Sequence, residues 1–131
     1  MAVSIINYSA ASYDDSIHIT FEESDGVYWF LRPIIGEIWD ATGWLIDPFE
    51  SGSCPPEHLH KLLKLLASSR ARIQSEMPDV WNQKTVTEIL PSQKDIKVEV
   101  TKAEVIAVLD KLSSLSTMCL ENGDTLVSQG D

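Results

Sequence analysis

Residues 55–77, PPEHLHKLLKLLASSRARIQSEM, form the clearest helical pattern in this chain. Pro55 and Pro56 suit the first turn of a helix, and Glu57 suits the positive end of its dipole. Apolar residues then recur on one face at helical spacing, namely Leu59, Leu62, Leu63, Leu66 and Ile73. The stretch therefore predicts a helix that runs to Met77 and ends at Pro78.

Two segments after this helix alternate between apolar and polar residues. They are Lys84-Thr-Val-Thr-Glu-Ile and Asp95-Ile-Lys-Val-Glu-Val, with a turn expected near Pro91-Ser92. Alternation over four to eight residues is typical of a strand with one buried face. The two segments therefore predict a β-hairpin.

A second helix signal follows the hairpin at Thr101-Lys-Ala-Glu104, which has the spacing of a capping box. Asn122-Gly123 would end this helix, and residues 125–128 would add an edge strand. The predicted apolar face comprises Val105, Val108, Leu109, Leu112, Leu115 and Cys119.

The N-terminal side is less regular. Residues 1–12 predict a loosely held lead-in, residues 16–23 predict a half-buried strand, and Ser24 or Asp25 could cap a helix that Gly43 ends. Pro33 should kink or divide that helix, because proline lacks the amide proton. Residues 44–56 have the composition of a loop.

These elements predict one α+β domain over residues 1–131, with three main helices packed on a small, mostly antiparallel sheet. The length is close to that of a typical domain and is sufficient to bury a core without a structural metal. With 44% hydrophobic and 23% charged residues, the chain has the composition of a globular protein.

Charge is distributed unevenly along the chain. Residues 1–58 hold ten carboxylates and one basic residue, Arg32, for a net charge of −9, whereas residues 59–131 carry only −1. An excess of negative charge repels nucleic acid and anionic membrane surfaces, and it attracts a basic partner. The asymmetry favours a binding function, although acidic residues also serve solubility.

Several features indicate a cytoplasmic protein. The first residues lack a basic charge and an apolar run of signal-peptide length, and no run approaches the length of a membrane span. Two cysteines, Cys54 and Cys119, are too few for a disulfide framework, and thiols stay reduced inside cells. A single bridge between them is the alternative.

The common catalytic motifs are absent, including Gly-x-Ser-x-Gly and Gly-x-x-x-x-Gly-Lys, so we predict no catalytic residues and no cofactor. The one cluster that resembles a metal site comprises Cys54, His58 and His60. Two histidines that lie two positions apart at the start of a helix project from different sides, which disfavours a shared ion. A small metal-binding protein or enzyme built on this cluster is the alternative to a binding function.

Tryptophan and acidic residues together suggest a partner-binding surface. Trp29 and Trp39 lie on the predicted buried stripe of the first helix, whereas Trp44, just after Gly43, is the expected exposed anchor. The predicted partner-binding residues are Glu22, Glu23, Asp25, Glu37, Asp40, Trp44, Asp47 and Glu50.

The overall pattern resembles small bacterial immunity proteins. The resemblance lies in Phe30-Leu-Arg32, Thr42-Gly-Trp-Leu-Ile-Asp47-Pro-Phe-Glu50, the leucine-rich helix from Pro55, Pro78-Asp-Val-Trp81 and the terminal Gly130-Asp131. Such proteins accompany polymorphic toxins, including those of contact-dependent growth inhibition systems. The resemblance implies a cytoplasmic, non-catalytic inhibitor of a cognate toxin C-terminal domain, often a nuclease with a basic cleft. It supplies no catalytic residues.

Overall fold

The computed structural model describes residues 2–7, 19–22, 26–47, 49–88 and 94–130. Its elements are β1 (Ala2–Asn7), β2 (Ile19–Glu22), α1 (Gly26–Thr42), β3 (Gly52–Cys54), α2 (Leu59–Glu76), β4 (Val80–Glu88), β5 (Lys94–Thr101), α3 (Lys102–Asn122) and β6 (Leu126–Gly130). A 3₁₀ turn at Pro56–His58 precedes α2. The predicted α+β class, with three helices and antiparallel sheets, is confirmed.

The larger sheet has four antiparallel strands in the order β2-β1-β6-β3. Ile5 of β1 lies opposite Ile19 on one side and opposite Ser128 on the other. Two predictions are therefore wrong. Residues 2–7 form an internal strand instead of a loosely held lead-in, and β6 is internal instead of an edge strand.

The predicted loop over residues 44–56 also contains a strand. β3 pairs with β6, with Gly52 opposite Ser128 and Cys54 opposite Leu126. Because β3 has only three residues, its formation depends on the neighbouring strand more than on its own sequence pattern.

The predicted hairpin is confirmed as the two-stranded sheet of β4 and β5. Its register places Val80 opposite Thr101, and the expected turn at Pro91-Ser92 lies outside the described residues. The ring of Trp81 packs against that of Phe30 of α1, with centroids 4.8 Å apart. This contact joins the hairpin to the helical layer.

The two predicted C-terminal helices are confirmed. α2 buries Leu59, Leu62, Leu66 and Ile73, whereas Leu63 is only half-buried. At the start of α3 the capping box is present, because the Glu104 amide donates to Thr101 Oγ1 at 3.2 Å and the Thr101 amide donates to Glu104 Oε2 at 3.5 Å. Gly123 ends the helix.

α1 is continuous through Pro33, so the predicted division of this helix does not occur. It ends where expected, at Gly43, whose φ of 78° is the left-handed conformation that glycine adopts readily. The proposed capping residues Ser24 and Asp25 lie outside the described residues. None of the helices in the described ranges is long and apolar enough to cross a membrane.

Candidate functional site

Trp44 does not form an exposed anchor, which corrects the sequence prediction. Its side chain is 0% exposed, and its Nε1–H donates to Ser128 Oγ at 2.9 Å. The backbone amide of Trp44 donates to Thr42 Oγ1 at 3.2 Å. The chain therefore turns inward immediately after α1 and places the indole in the core.

The exposed aromatic residues are Trp39 and Phe49. Trp39 is 52% exposed and Phe49 is 56% exposed, and among the described large hydrophobic residues only Val80 is comparably accessible. The prediction that Trp39 belongs to the buried stripe of α1 is wrong, while Trp29 is half-buried. Exposed aromatic side chains of this size are characteristic of protein-binding surfaces.

Trp39 and Phe49 line one groove, which we call the aromatic groove. Its volume is about 440 Å³, and it lies between the outer face of α1 and the segment over residues 45–49. The lining residues are Tyr28, Trp29, Arg32, Ile35, Gly36, Trp39, Leu45, Ile46, Asp47 and Phe49. One helix and one short segment therefore supply the whole lining.

Two charged side chains line the aromatic groove. The Arg32 guanidinium lies over the ring of Trp29, with its Cζ 5.0 Å from the ring centroid. Asp47 is half-buried, and its Oδ1 accepts the amide of Phe49 at 2.8 Å. Asp40 and Glu50, from the same helix and segment, are exposed and add negative charge.

The segment that carries Phe49 rests on the end of β6. A Cβ added to Gly130 would lie 2.6 Å from the Glu50 nitrogen and 2.9 Å from the Asp47 oxygen. Asp47 and Glu50 also form an isolated β-bridge. The absence of a side chain at Gly130 therefore gives the segment that carries Phe49 room to lie against the end of β6.

Glu37, a predicted partner-binding residue, lies elsewhere. It lines a second depression between α1 and α2, which we call the basic groove, whose other lining residues are Ala41, Lys61, Lys64, Leu65, Ser68, Ser69 and Arg72. Lys61, Lys64 and Arg72 line the same depression, so Glu37 opens onto a different groove from Asp47. Successive residues of a helix point to different faces, which separates Glu37 from Gly36.

The remaining predicted partner-binding residues are at or beyond the limits of the described ranges. Glu22 is the last residue of β2, where it pairs with Ala2 at the edge of the sheet. Glu23 and Asp25 lie outside the described residues. The structure thus brings Asp47 and Glu50 together beside α1, and it places Trp44 in the core.

The alternative metal cluster is not supported by the structure. Cys54 is completely buried, His58 is half-buried and His60 is exposed, and no group of three His, Cys, Asp or Glu side chains among the described residues could hold a metal ion. The Nδ1 of His58 is buried without a hydrogen-bond partner in the described ranges. Burial raises the pKa of the Cys54 thiol to about 11, so it stays protonated at neutral pH.

Comparison with known proteins adds no family assignment. No protein-family model matches the chain, and no curated protein or solved structure is similar enough to count as a match.

Sequence reasoning missed Phe49, Arg32 and Gly36 as site residues. Phe49 follows Asp47-Pro48, and this placement in a turn was a usable signal, because a large aromatic residue in a turn is often exposed. The spacing of Arg32, Gly36 and Trp39 places them on one face of α1. No local pattern indicated that this face lines a groove, since that depends on the segment over residues 45–49 folding back along α1.

Proposed function

We propose that this chain is the immunity protein of a bacterial polymorphic toxin system, such as one for contact-dependent growth inhibition. In this proposal it acts in the cytoplasm and neutralises a cognate toxin C-terminal domain by binding it, without catalysis. The aromatic groove is the proposed contact surface, with Trp39 and Phe49 as anchors and with Asp40, Asp47 and Glu50 as its acidic rim.

The observation that carries this proposal is the exposure of Trp39 and Phe49 in a single groove. Leaving two large aromatic side chains in water has no benefit for folding, whereas burying them against a partner is strongly favourable. Interface hot spots are enriched in tryptophan and are surrounded by polar residues that exclude water. Asp47 and Glu50 supply such a polar rim beside Phe49.

The negative charge of the N-terminal part of the chain supports the proposal of a basic partner. The net charge of −9 over residues 1–58 attracts a cationic surface from a distance and speeds association. A nuclease presents such a surface, because its substrate carries one negative charge per phosphate. A nuclease domain is accordingly the proposed class of toxin.

The chemistry of the groove favours binding over catalysis. Its described lining contains no histidine, cysteine or serine that could act as a nucleophile or a general base. Arg32 is stacked on an aromatic ring, and Asp47 accepts a hydrogen bond from its own segment. Both side chains are positioned to present charge to a partner.

The test is to express the toxin C-terminal domain encoded next to the gene for this chain. We expect the purified chain to form a complex with it in isothermal titration calorimetry, and co-expression to restore growth. The variant Trp39→Ala/Phe49→Ala should bind at least 100-fold more weakly, because hot-spot residues account for most of the binding energy.

A matched control is Lys61→Ala/Lys64→Ala in the basic groove, which should bind and protect like the unmodified chain. If the unmodified chain neither binds the domain nor protects cells, the immunity function is wrong. If it binds, and both double variants bind equally well, the aromatic groove is not the contact surface.

A further inference from the structure

Gly36 occupies a position that the fold does not explain. It lies in the interior of α1, where glycine is the least favourable residue apart from proline because it loses the most conformational freedom on folding. A Cβ added at Gly36 would meet nothing within 4 Å in the described part of the chain. An alanine would fit there and would favour the helix.

Gly26, the first residue of α1, is a glycine that packing does explain. A Cβ at Gly26 would lie 2.6 Å from Val100 Cγ2 and 3.4 Å from Val98 Cβ. The hairpin therefore requires a residue without a side chain at Gly26. The open space beside Gly36 means that no such contact within the described residues accounts for this second glycine.

The surroundings of Gly36 indicate a contact made from outside. It lines the aromatic groove between Arg32, four residues earlier, and Trp39, three residues later, and residues at these spacings are neighbours on a helix face. Because Gly36 has no side chain, the groove is deeper between Arg32 and Trp39. A glycine at such a place allows another molecule to approach the helix backbone closely.

Charge and aromatic character define the chemistry of that molecule. Asp47 lines the groove, and Asp40 and Glu50 are exposed on the same helix and segment. The rings of Trp39 and Phe49 are exposed and can receive a cation on their faces, as Trp29 already does for Arg32. Arg32 also lines the groove, but its guanidinium lies over the ring of Trp29. The carboxylates and the exposed rings of Trp39 and Phe49 together complement a lysine or arginine side chain carried by a polypeptide.

We infer that Gly36 is the point of closest approach for a basic polypeptide segment of the partner, which lies in the aromatic groove with a lysine or arginine beside Trp39, Phe49 and Asp47. The identity of that partner as a toxin rests on the proposed function. The occupant of the groove can be tested independently of the toxin.

The first experiment uses a synthetic probe, a blocked hexapeptide in which arginine and leucine alternate, and follows amide chemical shifts by NMR. We expect the backbone amide of residue 36 and the Trp39 indole N–H to shift on titration of the unmodified chain. In Gly36→Trp, whose new side chain fills the open space, neither the residue-36 amide nor the Trp39 indole N–H should shift. A peptide with glutamate in place of arginine should leave both signals unchanged.

This titration separates a specific site from general attraction to an acidic protein. Non-specific attraction would shift exposed amides throughout the chain, and those shifts would persist in Gly36→Trp. That result, or an unshifted Gly36 amide, would overturn the inference. If the probe binds as expected while the toxin domain does not bind the chain, the inference stands and the immunity function fails.

The second experiment measures how one added methyl group at residue 36 changes the melting temperature and the affinity for the toxin domain. Gly36→Ala should raise the melting temperature by roughly 3 to 6 °C, because alanine favours the helix. The same variant should weaken toxin binding by roughly tenfold, because the methyl group occupies space that the partner needs.

Ala67→Gly, at an exposed position in the middle of α2, is the matched control with the opposite change. It should lower the melting temperature by a similar amount and leave affinity unchanged. A Gly36→Ala variant that binds as tightly as the unmodified chain, or more tightly, would contradict a close approach at Gly36.

Discussion

Trp39 and Trp44 are separated by five positions, yet one is 52% exposed and the other is fully buried. Trp39 lines the aromatic groove, whereas Trp44 fills what we call the Trp44 pocket, formed with Thr42, Gly52 and Ser128. The difference arises at Gly43, where α1 ends and the backbone turns inward. A single change of direction places one tryptophan at the surface and the other in the core.

This comparison gives each region its own expected phenotype. Substitutions of the exposed groove residues Trp39 and Phe49 should change binding and leave folding intact, because these two side chains contact water. Substitutions in the Trp44 pocket should do the reverse. A substitution of Trp39 or Phe49 that also lowered the free energy of unfolding by several kcal/mol would mean that the two regions are coupled through the segment between them.

The largest effect is expected for Trp44→Ala. Removing a fully buried tryptophan leaves a cavity and exposes its neighbours, which costs about 3–5 kcal/mol. The free energy of unfolding, measured by urea denaturation, should fall by that amount, while Trp39→Ala should change it by about 0.5 kcal/mol or less. Similar losses for both variants would contradict the division between the two regions.

The fold was predictable where its signals are local. The helices over 59–76 and 102–122 and the hairpin were correct because apolar periodicity, a capping box and alternation all lie within each segment. β1 was missed because residues 2–7 become a strand only by pairing with β2 and with β6, more than 100 residues away. Single-segment patterns carry little information about such pairing.

The site was less predictable because it also depends on contacts between residues that are distant in the sequence. The burial of Trp44 depends on Ser128, which is 84 residues distant in sequence. The charge count over residues 1–58 also could not reveal that Glu37 faces lysines of α2 while Asp47 faces the aromatic groove. Charge per segment of sequence does not determine charge per face of the folded protein.

Ser128→Ala should have the next largest effect, about 1–3 kcal/mol in the free energy of unfolding. The substitution leaves the Trp44 Nε1–H buried without its acceptor, and an unsatisfied buried donor carries its full desolvation cost. The double variant Trp44→Phe/Ser128→Ala removes both partners of this bond. A double-mutant cycle measured by urea denaturation should therefore show that the two losses are less than additive; strict additivity would show that the bond contributes nothing.

A smaller effect, in binding alone, is expected for Asp47→Lys/Glu50→Lys. The association rate with the toxin domain should fall roughly tenfold at low salt, and less at high salt, because screening weakens charge steering. Glu37→Lys/Glu121→Lys makes the same change in net charge away from the aromatic groove and should slow association less. Equal slowing in stopped-flow measurements would assign the effect to total charge instead of the groove.

The smallest effect is expected for the two thiols, which should not react with a thiol reagent while the chain is folded. Cys54 and Cys119 are both free and buried, and burial is the main cause that raises the pKa of each thiol to about 11. We expect a thiol reagent such as DTNB to leave the folded protein unlabelled at pH 8 and to label both residues after denaturation. Rapid labelling of the folded chain would show that the core around these two thiols opens more readily than its packing indicates.

The same raised pKa values fix the sign of the pH dependence. In the unfolded chain the thiols ionise near their ordinary pKa of 9.0, whereas in the folded chain they stay neutral until about pH 11. Their contribution to the free energy of unfolding is therefore constant below pH 9 and is lost between about pH 9 and pH 11. Cys54→Ala/Cys119→Ala should flatten that alkaline decrease, and because both thiols lie outside the aromatic groove, it should leave toxin binding at pH 7 unchanged.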